Sequence, residues 1–286
     1  MTRLEHEREA STPRPAAPSR SMLFEHYRSL LMAVQFLTRL PTPRVDLGDE
    51  AETRLIQGRS AAYFPLVGAL IGTMTGATIL LAGRLWPIGL SVAIGLAFEA
   101  VMTGAFHEDA VADFCDAFGG GWTRDDILRI LKDSRIGAYG ALGLGLAVVL
   151  RGGAIASLET DRLIAAVSAS ATLGRWAILP AMWALPPIAD RESLSRDVGQ
   201  QIGPKRLGLA TAMAIPGCLG FALISPGRAA VAIVAVLLLI AWLVRYVGRK
   251  LGGMNGDSLG FLCYASQVIV LLTAGASSPW SPGGVR

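Results

Sequence analysis

The chain has 286 residues, 52% of them hydrophobic and only 17% charged, with a formal net charge of +4 and a mean hydropathy of +0.48. An ordinary soluble domain carries about 25% charged residues. The deficit argues against a water-soluble protein, whose many long uncharged runs would leave too little polar surface, and no nucleic-acid partner is expected.

Residues 1–22, opening "MTRLEHEREASTPRPAAPSR", are polar and lack the apolar core of a signal peptide. They read as a disordered tail rich in Pro, Ser, Arg and Glu. "FEHYRSLLMAVQFLTRLPTP" (Phe24 to Pro43) is apolar in its middle but interrupted at Arg28, Gln35 and Arg39. It is expected to be an interfacial or re-entrant helix ended by its prolines, with a true first span as the alternative. Seven later runs approach the roughly 20 apolar residues that a crossing needs. They are Ala61 to Gly83, Trp86 to Phe106, Ile136 to Leu158, Leu163 to Leu185, Leu207 to Gly227, Ala229 to Val244 and Ser258 to Ala276. The predicted fold is therefore all-α: a polytopic bundle of about seven transmembrane helices in one domain, residues 23–276, with a short tail at 277–286. The three cysteines (Cys115, Cys218, Cys263) are scattered and suggest neither a disulfide framework nor a zinc site.

Orientation follows from the bias of Lys and Arg. With a cytoplasmic N-terminus, twenty basic residues fall on the cytoplasmic side and five, counting Arg151, on the other. Without the N-terminal segment the ratio is eleven to five. Three charged, glycine-containing segments, 107–135, 186–206 and 245–257, then share the cytoplasmic face.

The first of them holds "FHEDAVADFCDAFGGG" (Phe106 to Gly121). On a helix turning about 100° per residue, Asp113 lies about 40° from Asp109, and Asp116 about 20° from it on the other side. Three carboxylates on one face repel one another. A hard divalent cation, Mg²⁺ or Mn²⁺, relieves that repulsion and can bridge substrate phosphates. Glu108 adjoins them as a further candidate ligand. A solvated acidic helix end is the plain alternative, but charge beside a span is usually functional. His107 is a candidate metal ligand or general base, or simply a hydrogen-bonded polar residue.

"LKDSRIGAYG" (Leu131 to Gly140) follows. Lys132 and Arg135 are expected three apart on one helix face, where they suit a diphosphate. Arg175, in "ATLGRWAIL", is a cation within a span, expected either to face the interior and meet an anion or to snorkel. "RKLGGMNGDSLG" (Arg249 to Gly260) brings Asn255 and Asp257 to the mouth of the last span. Asp257 is either a fourth oxygen ligand or a helix cap.

Taken together, "GAFHEDAVADFCDAFGGG" and "ILKDSRIGAYGALGL" closely resemble the cobalamin synthase family, the adenosylcobinamide-GDP ribazoletransferases. "FLTRLPTP", "LGRW" and "GGMNGDSLG" stand where that family has landmarks, so the resemblance runs from about Phe36 to near the C-terminus. Ala110 and Ala117 replace two usual glycines. The resemblance implies a Mg²⁺-dependent, multi-pass enzyme of the cytoplasmic membrane with its active face in the cytoplasm. Its substrates would be adenosylcobinamide-GDP and α-ribazole or α-ribazole 5′-phosphate, its products adenosylcobalamin or its phosphate and GMP. Asp109, Asp113 and Asp116 would hold the metal, Lys132 and Arg135 would steady the departing GMP, and a carboxylate or His107 would take the hydroxyl proton. Arg175, Asn255 and Asp257 are the remaining candidate substrate contacts, and the chain could form an oligomer. The competing readings are a CDP-alcohol phosphotransferase, whose longer motif does not fit, and a cation transporter, whose carboxylates belong at mid-membrane.

Overall fold

The computed structural model describes residues 22–45, 47–188 and 201–276. The tails read at 1–22 (apart from Met22) and 277–286, and the 189–200 part of the basic segment, lie outside the described residues.

Among the described residues the chain is helical, apart from one isolated β-bridge between Pro187 and Met254. α1 (Met22–Leu37) is the helix expected at the start, and it ends before the prolines. α2 (Glu50–Ser60), a single 3₁₀ turn and α3 (Phe64–Ala82) form one continuous rod. α4 (Ile88–Thr103), α5 (Phe106–Gly120) and the short α6 (Arg124–Ile130) follow. Then come α7 (Ala138–Ala156), α8 (Thr160–Ala184), α9 (Pro204–Ile224), α10 (Pro226–Leu251) and α11 (Gly256–Gly275).

Six of these rods are long and apolar enough to cross a bilayer: Glu52–Ala82, α7, α8, α9, α10 and α11. The seventh predicted run, Trp86 to Phe106, needs correction. Its helix, α4, has 16 residues, or about 24 Å, less than the roughly 30 Å of a hydrocarbon core. It bends by 91° into α5. By length and composition α4 and α5 together make a broken span or a re-entrant loop, so six helices among the described residues are of crossing length, and seven segments cross if the bent pair does.

The break has a local cause. Gly104 (φ 74°) and Ala105 (φ 55°) are both left-handed, and Ala105 is the one non-glycine with positive φ among the described residues. That conformation strains a residue with a Cβ by about 1–2 kcal/mol, so packing must hold it. A Cβ on Gly104 would come within 2.4 Å of Arg39 Nε. Arg39 also gives its amide to the Met102 carbonyl at 2.7 Å, and Phe36 meets the Phe106 ring edge-on at 5.5 Å. "FLTRLPTP" therefore braces the bend that launches the acidic helix.

α8 is the most buried helix and packs on α3, α9 and α11. α7, α9 and α10 instead expose large apolar side chains, including Leu142, Leu146, Val149, Leu219, Leu223, Val234 and Leu238. In water those faces would form apolar patches far larger than monomers carry; in a bilayer they meet lipid.

Candidate active site

α5 places chemistry because its two faces differ. Ala110, Val111, Phe114 and Ala117 are buried. Phe114 stacks on Phe261 of α11 at 4.0 Å. Ala110 sits against Gly260, where an added Cβ would lie only 2.3 Å from the Ala110 methyl. One methyl thus fits between α5 and α11, and Ala110 supplies it. Ala117 is fully buried within the same regular helix, so both alanines are accommodated without breaking the helix.

The opposite face carries acid. Asp109 is exposed and Asp113 half-buried, and no hydrogen bond or ion pair engages either carboxylate among the described residues. Asp113 feels the charges of Asp109, Asp257 and Asp116. The structure thus gathers the three aspartates with Asp257. It also removes one of the two roles open to Asp257, that of helix cap. Asn255 is the cap of α11, accepting from the Ser258 amide at 3.3 Å, while its Nδ2 donates to Asp257 Oδ2 at 3.0 Å. The aspartate is thereby oriented rather than used as the cap.

Asp116 has a second task. Its carboxylate accepts from the amides of Gly137 (2.6 Å) and Gly140 (2.8 Å). Those donors belong to the first turn of α7, which has no partner inside its own helix. Asp116 therefore ties the far end of α5 to the start of α7.

Among the described residues no three Asp, Glu, His or Cys side chains stand as a preformed metal cage. The donor set nonetheless fits a hard divalent cation: four like-charged, all-oxygen groups, two of them unengaged, on one face. Glu108 is not part of that group. It points the other way, 3.8 Å from Arg151 Nη1.

Lys132 and Arg135 lie in the turn between α6 and α7, not on a helix face. The helical spacing expected for them is thereby corrected: α6 ends at Ile130 and α7 starts at Ala138. Both are exposed. Arg135 grips Asp133 through Nε (3.0 Å) and Nη2 (2.7 Å), and those hydrogen bonds hold the Asp133 carboxyl down at about 2. Arg135 must release Asp133 before it can meet a phosphate.

Arg175 faces the interior and does not snorkel: it is fully buried. Its Nη1 donates to the Ala171 carbonyl at 3.1 Å, while Nε and Nη2 have no partner among the described residues. His107 is also buried, and its Nε2 is unpartnered. It lies away from the aspartates, beside an apolar cavity.

Beneath the acidic face lies a polar core that the chain-order reading did not assemble. Arg151 Nη2 is 2.8 Å from each Glu99 oxygen and 2.9 Å from Gln267 Oε1. Thr75 donates to Glu99 at 2.9 Å, and the Arg151 guanidinium lies over the Tyr264 ring, 5.1 Å from its centroid. Arg151, counted from sequence with the far side, is thus inside the bundle. The available signal was one lone acid and one lone base, each in an otherwise apolar run, because such charges pair.

A family model described as Cobalamin-5-phosphate synthase matches residues 29–275. Relatives named adenosylcobinamide-GDP ribazoletransferase are similar over nearly their whole length. The Ralstonia nicotianae protein is 37% identical over 264 residues, 91% of this chain and 98% of its own. That of Ralstonia pickettii is 35% identical over 90% of this chain and 98% of its own. That of Leptothrix cholodnii is 35% identical over 83% of this chain and 91% of its own. No solved structure matches the chain.

Proposed function

The chain belongs to the cobalamin-5-phosphate synthase family, and from that premise we propose that it transfers the adenosylcobinamide phosphate group of adenosylcobinamide-GDP to α-ribazole or its 5′-phosphate. A ribose hydroxyl that is free in both acceptors, and therefore not the 5′ oxygen already esterified in the 5′-phosphate, attacks the phosphorus bonded to cobinamide. A new P–O bond forms, the P–O bond to GMP breaks, and the hydroxyl proton is lost. The observation that carries this reading is the convergence of Asp109, Asp113, Asp116 and Asp257 at the meeting of α5 and α11, inside a chain matched along nearly its whole length.

Asp109, Asp113 and Asp257 are the residues that would hold Mg²⁺, with Asp116 at the edge where it also secures α7. When bound, the ion would neutralise diphosphate charge. The protein's own part is positioning. Asn255 fixes the Asp257 carboxylate. Whichever carboxylate of the group the ion leaves uncoordinated accepts the hydroxyl proton. Lys132, and Arg135 once it exchanges its hold on Asp133, stand on an exposed turn from which they turn toward the charge that collects on GMP. Arg175 is fully buried, so it steadies the bundle beneath the site rather than touching phosphate.

We place the protein in the cytoplasmic membrane with this face in the cytoplasm, on the strength of the Lys and Arg bias. A cation carrier is disfavoured because the two buried-side acids, Glu99 and Glu108, both face Arg151.

The test is direct. Washed membranes containing the protein receive adenosylcobinamide-GDP, α-ribazole and Mg²⁺, and cobalamin and GMP are measured. Equimolar formation of both, lost on chelation and restored by Mg²⁺, is the expected result. GMP release without cobalamin, or no product in membranes shown to hold the folded protein, would overturn the reading.

A further inference from the structure

A cavity of about 220 Å³ opens between α1, the start of α3, α5, α8 and α11. Its walls are apolar, with Phe36, Phe64, Phe106, Ile178 and Leu259 among them. Phe36 and Phe64 lie parallel, 5.5 Å apart with an interplanar angle of 4°, and Phe106 closes on Phe36 edge-on at 5.5 Å. Aromatic groups favour such stacked and edge-on neighbours. Two polar side chains at the wall have no hydrogen bond among the described residues, the half-buried Gln57 and His107. His107, 2% exposed, leaves Nε2 unmatched. The other polar side chains at the wall whose bonds are resolved are engaged: Gln35 donates to Thr42 and the Pro43 carbonyl, and Ser60 to the Gln57 carbonyl. A buried polar atom left unpaired is costly, and a ligand atom can repair that cost.

Position supplies the second argument. Gly256 lines the cavity, and the next residue, Asp257, faces Asp113 across the acidic group. A ligand seated here therefore lies at the start of α11, beside the residue that precedes Asp257 in the chain. Drug-sized ligands occupy roughly 300–1,000 Å³, so this volume suits one flat ring system and not a corrinoid.

We propose that this cavity holds the aromatic base of the ribazole, set among Phe36, Phe64 and Phe106, with His107 at its wall. The inference rests on the proposed function and deepens it by naming which substrate, and which part of it, enters here. The base is a bicyclic ring with an apolar benzo edge and one free ring nitrogen. The cavity offers mainly apolar, aromatic walls with two polar side chains, Gln57 and His107, among them. The sugar then projects past Gly256, bringing a free ribose hydroxyl toward Asp113 and Asp257. A base with more ring and exocyclic nitrogens would set more polar groups against the mainly apolar walls and bind less well. His107 accordingly acts in substrate binding, and the carboxylates act on the proton.

Purified protein in lipid nanodiscs tests this by equilibrium dialysis with α-ribazole alone and with adenosylcobinamide-GDP alone, alongside KM for each. Ile178→Phe fills the cavity, Phe36→Leu removes a ring at similar hydrophobicity, and His107→Ala removes the unmatched nitrogen. Each is expected to raise the ribazole Kd about tenfold while the adenosylcobinamide-GDP Kd stays within twofold. The α-riboside of adenine should bind wild type at least tenfold more weakly than α-ribazole. Folding of each variant is verified by its unchanged adenosylcobinamide-GDP Kd, and a variant that loses both affinities in parallel counts against the proposal. Unchanged ribazole affinity in all three would overturn it, as would a phospholipid retained by wild type and displaced in Ile178→Phe with ribazole affinity intact. The two readings fail separately: wild type that makes no cobalamin refutes the transferase, whereas active wild type whose variants keep full ribazole affinity refutes only the cavity's assignment.

Discussion

Glu99→Ala is expected to destabilise the folded protein by about 3 kcal/mol, and Arg151→Met by about 5 kcal/mol, the two ends of the range for breaking a buried ion pair. The structure sets that order. Glu99 and Arg151 are 2% and 1% exposed, and a single guanidinium nitrogen serves both carboxylate oxygens at 2.8 Å. Removing Glu99 strands a buried cation, but Glu108 remains 3.8 Å from Arg151 Nη1 and offsets part of its charge. Removing Arg151 leaves two carboxylates, Glu99 and Glu108, with Arg175 the cation whose charge still reaches them, so it costs more. Against a total stability of about 5–15 kcal/mol, either loss is large. The double variant Glu99→Leu/Arg151→Met removes both charges at similar volume and should lie close to wild type or above it. The assay is reversible unfolding in mixed micelles, followed by tryptophan fluorescence. Glu99→Ala within about 1 kcal/mol of wild type would refute the reasoning. So would a double variant as unstable as the worse single one, because the penalty would then not come from an unpaired charge.

Asp109→Asn and Asp113→Asn should each lower turnover by roughly 10²-fold or more without loss of folded protein, the scale for removing one electrostatic group at developing charge; near-normal turnover at saturating substrate would remove that residue from the site. Arg135→Ala should reduce turnover per inserted molecule by a similar factor, with Arg135→Lys recovering only part, because an ammonium lacks the guanidinium fork; equal activity in all three proteins would leave Arg135 as a topological anchor. Cysteines at Trp122 and Arg249, both exposed, should be labelled only from the cytoplasmic side, and one at Gly227, which has open space around it, only from the other; labelling of 122 and 249 from opposite faces would break the single active face.

The spans were legible because a bilayer demands long apolar runs, and a single charge in 20 residues hardly hides one. The acidic face was legible for a similar reason: 3.6-residue periodicity alone places Asp109, Asp113 and Asp116 together. The break at Gly104 and Ala105 was not. Ala105 has no intrinsic preference for a left-handed backbone, and what holds it there is Arg39 and Phe36, more than sixty residues away in sequence. The same limit applies to Glu99 and Arg151. Each looked like a blemish in its own run, and only packing of α4 against α7 makes them one feature. Asn255 and Asp257 were seen, but which of them caps α11 depends on side-chain direction, which spacing does not carry.

The bend also explains why the acid sits where it does. Had α4 run on as one straight helix, the group from Asp109 to Asp116 would have continued along the direction of α4. The 91° turn instead lays α5 along α11 and α7. At its first turns Glu108 faces the buried Arg151; at its last, Asp116 takes two amides from α7. Both ends of the helix are thereby anchored by carboxylates that spend their charge on the protein. Asp109 and Asp113, between those anchors, are left without protein partners and with Asp257 facing them. A helix pinned by acid at both ends can hold unpaired acid in its middle against mutual repulsion, as a site for cationic and phosphate chemistry requires.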